Sequence, residues 1–286
     1  MNRCGIKKII RGQKTVDGAG VHLVRVLSGG DAEEFDPFLM LDSFDSTDAS
    51  DYVAGFPMHP HRGIETITYL IAGEIEHEDS LGNKGVIRSG ETQWMTAGSG
   101  FLHQEMPQKS QRMLGLQLWL NLPRAEKMTE PAYFSITEDM IAKKLLTNGE
   151  VRVVSGGFDG IIGAKPKHIP ASIYDIKLSA GSEIVIPVKK GHTSFIFLIE
   201  GDALLEGELV TEKSAVLYDD GDEIAVVSTP NAPSRFLFFS AEPLHEPIAW
   251  GGPIVMNTRE EIKLAFEELK KGTFIKDNHK RNDFQQ

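Results

Sequence analysis

"HPHRGIETITYLIAG" (residues 59–73) has no helical period: β-branched and apolar residues run to a Leu-Ile-x-Gly end, and the run begins with two histidines one residue apart. It reads as a strand. Comparable runs recur between Gly, Asp, Asn and Pro punctuation: "VHLVRVL" (21–27), "LGLQLWLNL" (114–122), "ASIYDIKLSAG" (171–181), "SFIFLIEG" (194–201) and "RFLFFSAE" (235–242). That spacing predicts an all-β chain of antiparallel sandwich or barrel type, since alternating βαβ units would place helical periods between the strands.

The chain has 286 residues, more than one average domain needs, so two domains are expected. Two strand-rich halves resemble each other: "LIAG" (70–73) and "LIEG" (198–201) each end a strand, and each is followed by a turn, "SGE" (89–91) or "DGD" (220–222). An internal duplication of one barrel follows. Where the first half has "HPHRGIETITYL", the second has "KKGHTSFIFL" with His192 alone, so a metal site would lie in one half only.

Two helices are also predicted. "NTREEIKLAFEELKKG" (257–272) offers Thr258 and Glu261 as a capping box, Ile262, Ala265, Phe266 and Leu269 on one face, and Gly272 as a stop. "SITEDMIAKKLLTNGE" (135–150) offers a Ser135–Glu138 capping box, Ile141 and Leu145, and Gly149. The expected division is a first domain over 1–134, a linker helix over 135–149 and a second domain over 150–286 that carries the C-terminal helix.

A net charge of −11 with only short, scattered basic clusters, "KDNHKR" (276–281) among them, argues against direct nucleic-acid binding. No apolar run reaches the roughly 18 residues of a membrane span, and no secretory signal is read at the N-terminus. With a single cysteine, Cys4, read as inert, a reducing, cytoplasmic location is expected.

On a strand, residues two and four apart share a face, so His59, His61 and Glu65 can converge. The pattern returns in "GSGFLHQEMP" (98–107), where His103 and Glu105 are two apart. Three imidazoles and one carboxylate, Glu65 or Glu105, suit Fe(II), Mn(II), Co(II), Ni(II) or Cu(II), and the missing thiolates argue against a Cys-type structural zinc site. Vacant positions on such an ion would admit water, O2 or a substrate. His22, His77, His168, His192, His245 and His279 stand without a partner at ligand spacing and read as structural or surface residues. Phe56, Trp94, Phe101 and Trp119 read as barrel core, the material from which a site wall would also be built.

Taken together, "HPHRGIETITYLIAGEIEHEDSLGN", "GETQWMTAGSGFLHQEMP", "GLQLWLNLP", "KMTEPAY" and "GPIVMNTREEI" resemble the pirin family of the cupin superfamily over nearly the whole chain. The resemblance implies a bicupin of two jelly-roll-like barrels with a few short helices. It further implies a metal site in the first barrel and a C-terminal helix closing the second. It places the ligands on His59, His61, His103 and Glu105, with iron (Fe2+/Fe3+) as the resident ion and Mn, Co, Ni, Cu or Zn as substitutes. Among the two carboxylates it favours Glu105; the general cupin motif would use the Glu65 position and a histidine near Phe101. Two functions are implied. One is a quercetin 2,3-dioxygenase that cleaves a flavonol with O2 and loss of CO, with Glu105 as proton acceptor. The other is an iron- and redox-dependent regulator acting through protein partners such as transcription factors or metabolic enzymes.

Overall fold

The computed structural model describes residues 2–276, so His279 and the end of the "KDNHKR" cluster lie outside the described residues. Strands dominate, and among the described residues the single α-helix is Arg259–Lys271. The chain forms two compact units. One comprises residues 14–33, 38–135 and the C-terminal segment from 244; the other comprises the N-terminal segment to 13, residues 34–37 and residues 136–243.

Each unit contains a seven-stranded and a four-stranded antiparallel sheet, built in the same order. In the histidine-bearing unit the long sheet runs Ala132–Ile136, Thr92–Thr96, Ile64–Ala72, Met113–Asn121, Phe38–Ser46, Val21–Leu27, Gln13–Asp17. The second unit repeats it with Ile6–Arg11, Ser214–Tyr218, Thr193–Glu200, Ser234–Ala241, Ser172–Leu178, Gly149–Ser155, Ala142–Leu146. The duplication expected from the two Leu-Ile-x-Gly ends is therefore present strand for strand.

Aligning those ends sets His59 against Pro187, His61 against Lys189 and Gly63 against Gly191. Both glycines have φ +77°, a left-handed turn that opens the next strand in each unit. At Gly63 a Cβ would stand 2.0 Å from the Val255 carbonyl oxygen, so close passage of the C-terminal segment adds a second requirement for glycine.

In the second unit the interior equivalent to the histidine-bearing one is packed. Val153, Tyr174, Phe238 and Ile196 meet side by side from four neighbouring strands, all buried, and Tyr174 stacks on Phe238 at 5.1 Å. In the first unit the strands at equivalent places carry Arg25, Asp42, Gln117 and Thr68, and a cavity takes the place of packed rings.

Two expectations are corrected. Residues 135–150 are not a helix: they form the end of strand Ala132–Ile136, a short 3-10 turn at Glu138–Met140, and a hairpin of Ala142–Leu146 with Gly149–Ser155. The physical reason is burial that alternates along Ala142–Leu146, a period of two, with Thr147 and Asn148 as the two-residue connection. The boundaries 1–134 and 150–286 do not hold either. The first strand, Ile6–Arg11, pairs with Ser214–Tyr218 in the second unit, while the C-terminal helix belongs to the unit that holds the histidines. That helix has the expected capping box and a left-handed Gly272 as its end.

Candidate metal centre

Strands Phe56–His61 and Phe101–Pro107 pair antiparallel with His59 opposite His103 and His61 opposite Phe101. Facing residues of a pair, and residues two apart, lie on one side of the ladder. His59, His61 and His103 therefore converge: the Nε2 atoms are 3.1 Å apart for His59 and His61, and 2.9 Å apart for His59 and His103. Two donors held about 2.1 Å from one ion at a right angle are about 3 Å apart. Both distances from His59 have the length of an edge of an octahedral coordination shell.

The outward nitrogens determine the tautomers. His61 Nδ1 donates to the Pro253 carbonyl oxygen at 3.0 Å and His59 Nδ1 to the Pro57 carbonyl oxygen at 2.9 Å. Both Nε2 atoms then present lone pairs to each other, an arrangement that a cation between them relieves. Burial drives the His61 pKa down to about 3, His103 well below the usual imidazole range and His59 in the same direction. Neutral imidazole is the form that binds a metal. The donor set fits a transition-metal ion.

Glu105 lies on the same strand as His103, past a register shift that sets it opposite Phe56. It lines the same cavity as His59 and His61, and its Oε1 accepts from the Thr68 hydroxyl at 2.9 Å. Its carboxyl is not within the 4.8 Å that encloses the three imidazole donors. Burial pushes its pKa up to about 7, against the lowering effect of Thr68. Glu65 behaves differently. Gly63 interrupts the strand, which breaks the parity counted from His61, and Glu65 Oε1 accepts from Thr96 at 2.7 Å.

The cavity measures about 690 Å³, the size of a small-molecule site. Phe44, Phe56, Trp119 and Trp250 supply its apolar walls, the two indoles stacked 5.9 Å apart. Asp17, Arg25, Asp42, Thr68 and Gln117 supply polar ones. None of these polar residues stands out in the sequence. The Pro253 carbonyl could not have been read at all, because a backbone acceptor leaves no side-chain signature. Of the remaining histidines, His77 is buried, stacked on Tyr133 with Nε2 2.8 Å from its hydroxyl. His22 lies 3.1 Å from Asp51, and His192 Nδ1 lies 3.4 Å from Ser240 Oγ. No helix among the described residues is long and apolar enough to cross a membrane.

Comparison with known proteins agrees with this architecture. Residues 20–120 match the family model described as Pirin, and residues 173–275 match that of the Pirin C-terminal cupin domain. A pirin-like protein of Caulobacter vibrioides is 42% identical over 275 residues, covering 94% of this chain and 98% of that protein. Human pirin is 39% identical over 260 residues, 89% of this chain and 88% of that protein. Among solved structures, a quercetin 2,3-dioxygenase from Acinetobacter baumannii superposes with a TM-score of 0.89 at 30% identity, covering 96% of this chain and 99% of that one.

Proposed function

The chain belongs to the pirin family, a bicupin fold, and from that premise we propose that it is a cytoplasmic, mononuclear metal-dependent dioxygenase acting on quercetin-like flavonols. The observation that carries this reading is the triangle of His59, His61 and His103 Nε2 atoms opening onto an aromatic-walled cavity. A three-imidazole set leaves coordination positions for exogenous ligands. The quercetin 2,3-dioxygenase from A. baumannii, similar across nearly the whole chain, supports the choice of substrate.

His59, His61 and His103 would hold the ion, with Glu105 as the fourth ligand after its carboxylate turns from Thr68. Iron is the proposed resident, because nitrogen-rich ligation with one carboxylate suits it; Mn, Co, Ni, Cu or Zn would occupy the same donors. When bound, such an ion supplies the redox coupling between flavonol and O2. The protein's own contribution is positional. The walls of Phe44, Phe56 and Trp119 exclude water and hold a planar substrate, and Glu105 accepts the proton of the flavonol 3-hydroxyl at a carboxylate oxygen. The net reaction adds both atoms of O2 to the flavonol, opens the central ring and releases CO.

The test is oxygen uptake with quercetin on metal-loaded protein, for wild type and Glu105→Gln. The proposal expects substrate-dependent uptake in the wild type and a loss of about 100-fold or more in the variant. Full metal occupancy with no substrate-dependent uptake would overturn the enzyme reading and favour the iron-dependent regulator.

A further inference from the structure

One wall of the cavity is a continuous polar row. Arg25 stands opposite Asp42, Asp42 opposite Gln117, and Gln117 opposite Thr68, on four adjacent strands with all four side chains lining the cavity. Neighbouring strands are about 4.8 Å apart, so the row covers about 14 Å, comparable with the length of a three-ring planar polyphenol. At its Thr68 end the hydroxyl donates to Glu105 at 2.9 Å and also touches the Gln117 amide oxygen at 2.5 Å. At its other end Arg25 gives Nε to Asp42 Oδ1 at 2.9 Å and Nη2 to both Asp42 Oδ2 and Asp17 Oδ2 at 2.7 Å.

A cross-strand Arg–Asp pair can serve a sheet simply as a stabilising contact. The internal duplication argues for more. Two residues before the Leu-Ile-x-Gly end, Thr68 corresponds to Ile196, and the row through Ile196 reads Phe238, Tyr174, Val153, buried aliphatic and aromatic side chains whose one polar atom, the Tyr174 hydroxyl, donates to the Gly157 carbonyl oxygen. The same fold thus closes this row with hydrocarbon where no imidazole cluster is present and leaves it polar and open where one is. Its charge is also lopsided. Arg25 is the one cation among the cavity-lining residues other than the neutral imidazoles, and Asp42 and Asp17 both engage it. The three carry a net charge of −1 and a surplus of acceptor oxygens.

We propose that this row, Thr68–Gln117–Asp42–Arg25 closed by Asp17, is the selecting wall of the cavity, admitting planar polyphenols that present neutral hydroxyl donors and turning away analogues that carry a carboxylate. The proposal rests on the flavonol reading above and adds the residues that choose among flavonols. A phenolic hydroxyl finds acceptors along the wall, whereas a carboxylate at its Arg25 end, the end away from Glu105, meets the like charge of Asp17 and Asp42, which already engage that guanidinium.

Three ligands test it: 3-hydroxyflavone, its 4′-hydroxy derivative and its 4′-carboxy derivative, each titrated into zinc-loaded protein, where binding is read without turnover. The wild type should bind the 4′-hydroxy compound at least about tenfold more tightly than the 4′-carboxy compound. In Asp17→Asn and in Gln117→Leu that ratio should fall below about threefold while metal content stays at the wild-type level. Asp17 is half exposed, so its variant folds even if Gln117→Leu does not. Equal binding of the two derivatives to the wild type, or a ratio unchanged in Asp17→Asn, would overturn the selecting wall alone. Failure of 3-hydroxyflavone itself to bind would overturn the flavonol reading and this inference with it.

Discussion

Glu105 is a carboxyl held almost wholly out of water, and in the metal-free protein its raised pKa has a signed consequence for stability. Below the ordinary value of 4.5 the group is protonated in both folded and unfolded chains; between 4.5 and about 7 the folded chain retains a proton that the unfolded chain has lost. Stability contributed by this group is thus complete at low pH and lost as the pH rises through that window, by about 3 kcal/mol in total. Burial also lowers the pKa of His59, His61 and His103, which adds stability as the pH rises, so the Glu105 loss is read as a difference. In denaturant titrations in chelator between pH 5 and pH 8, the wild type should lose about 3 kcal/mol relative to Glu105→Gln. An identical pH dependence in the two proteins would contradict it. At this scale the histidines were legible because a ligand set is side chains at fixed parity, and "HPH" with "HQE" displays that parity in the letters. The different settings of Glu65 and Glu105 were not, because Gly63 resets the count and only the chain's turn there separates them. Thr68 and Gln117 are common in strands and carried no signal.

At the scale of elements, the C-terminal segment is part of the candidate centre. The Pro253 carbonyl oxygen orients His61, and the next residue, Arg62, anchors the same segment: its Nη1 lies 2.7 Å from Glu268, Nη2 donates to the Phe274 carbonyl oxygen at 2.9 Å, and its Nε to that of Ser99 at 2.7 Å. The guanidinium also sits 4.1 Å from the Phe274 ring centroid. Arg62→Met removes one partner of a largely buried ion pair and should lower unfolding free energy by about 3 kcal/mol. Because the segment carries His61's acceptor, the metal should also bind about 10-fold or more weakly, a loss read by competition with a chelator. Wild-type metal affinity in a destabilised Arg62→Met would separate the segment from the site. The helix of this segment was legible, since a capping box and a glycine stop are local signals. The same signals misled at 135–150, where only Ile141 and Leu145 marked an apolar face and tertiary pairing with Gly149–Ser155 prevailed over the local cap.

Across the whole molecule, one strand order is used twice, once around a cavity and once around a packed core. The repeat was visible in two Leu-Ile-x-Gly ends, and the family resemblance in motifs spread along the chain. The exchange of terminal segments was not, because joining Ile6–Arg11 to Ser214–Tyr218 depends on pairing between residues some 200 positions apart. The duplication makes the central claim a sharp one: a single ion per chain, held in the first barrel by His59, His61 and His103. Elemental analysis of purified wild type, His103→Ala and His192→Ala tests it most directly. The account predicts about one transition-metal ion per chain in the wild type and in His192→Ala, and almost none in His103→Ala. Equal metal content in all three proteins, or an equal loss in both variants, would contradict it.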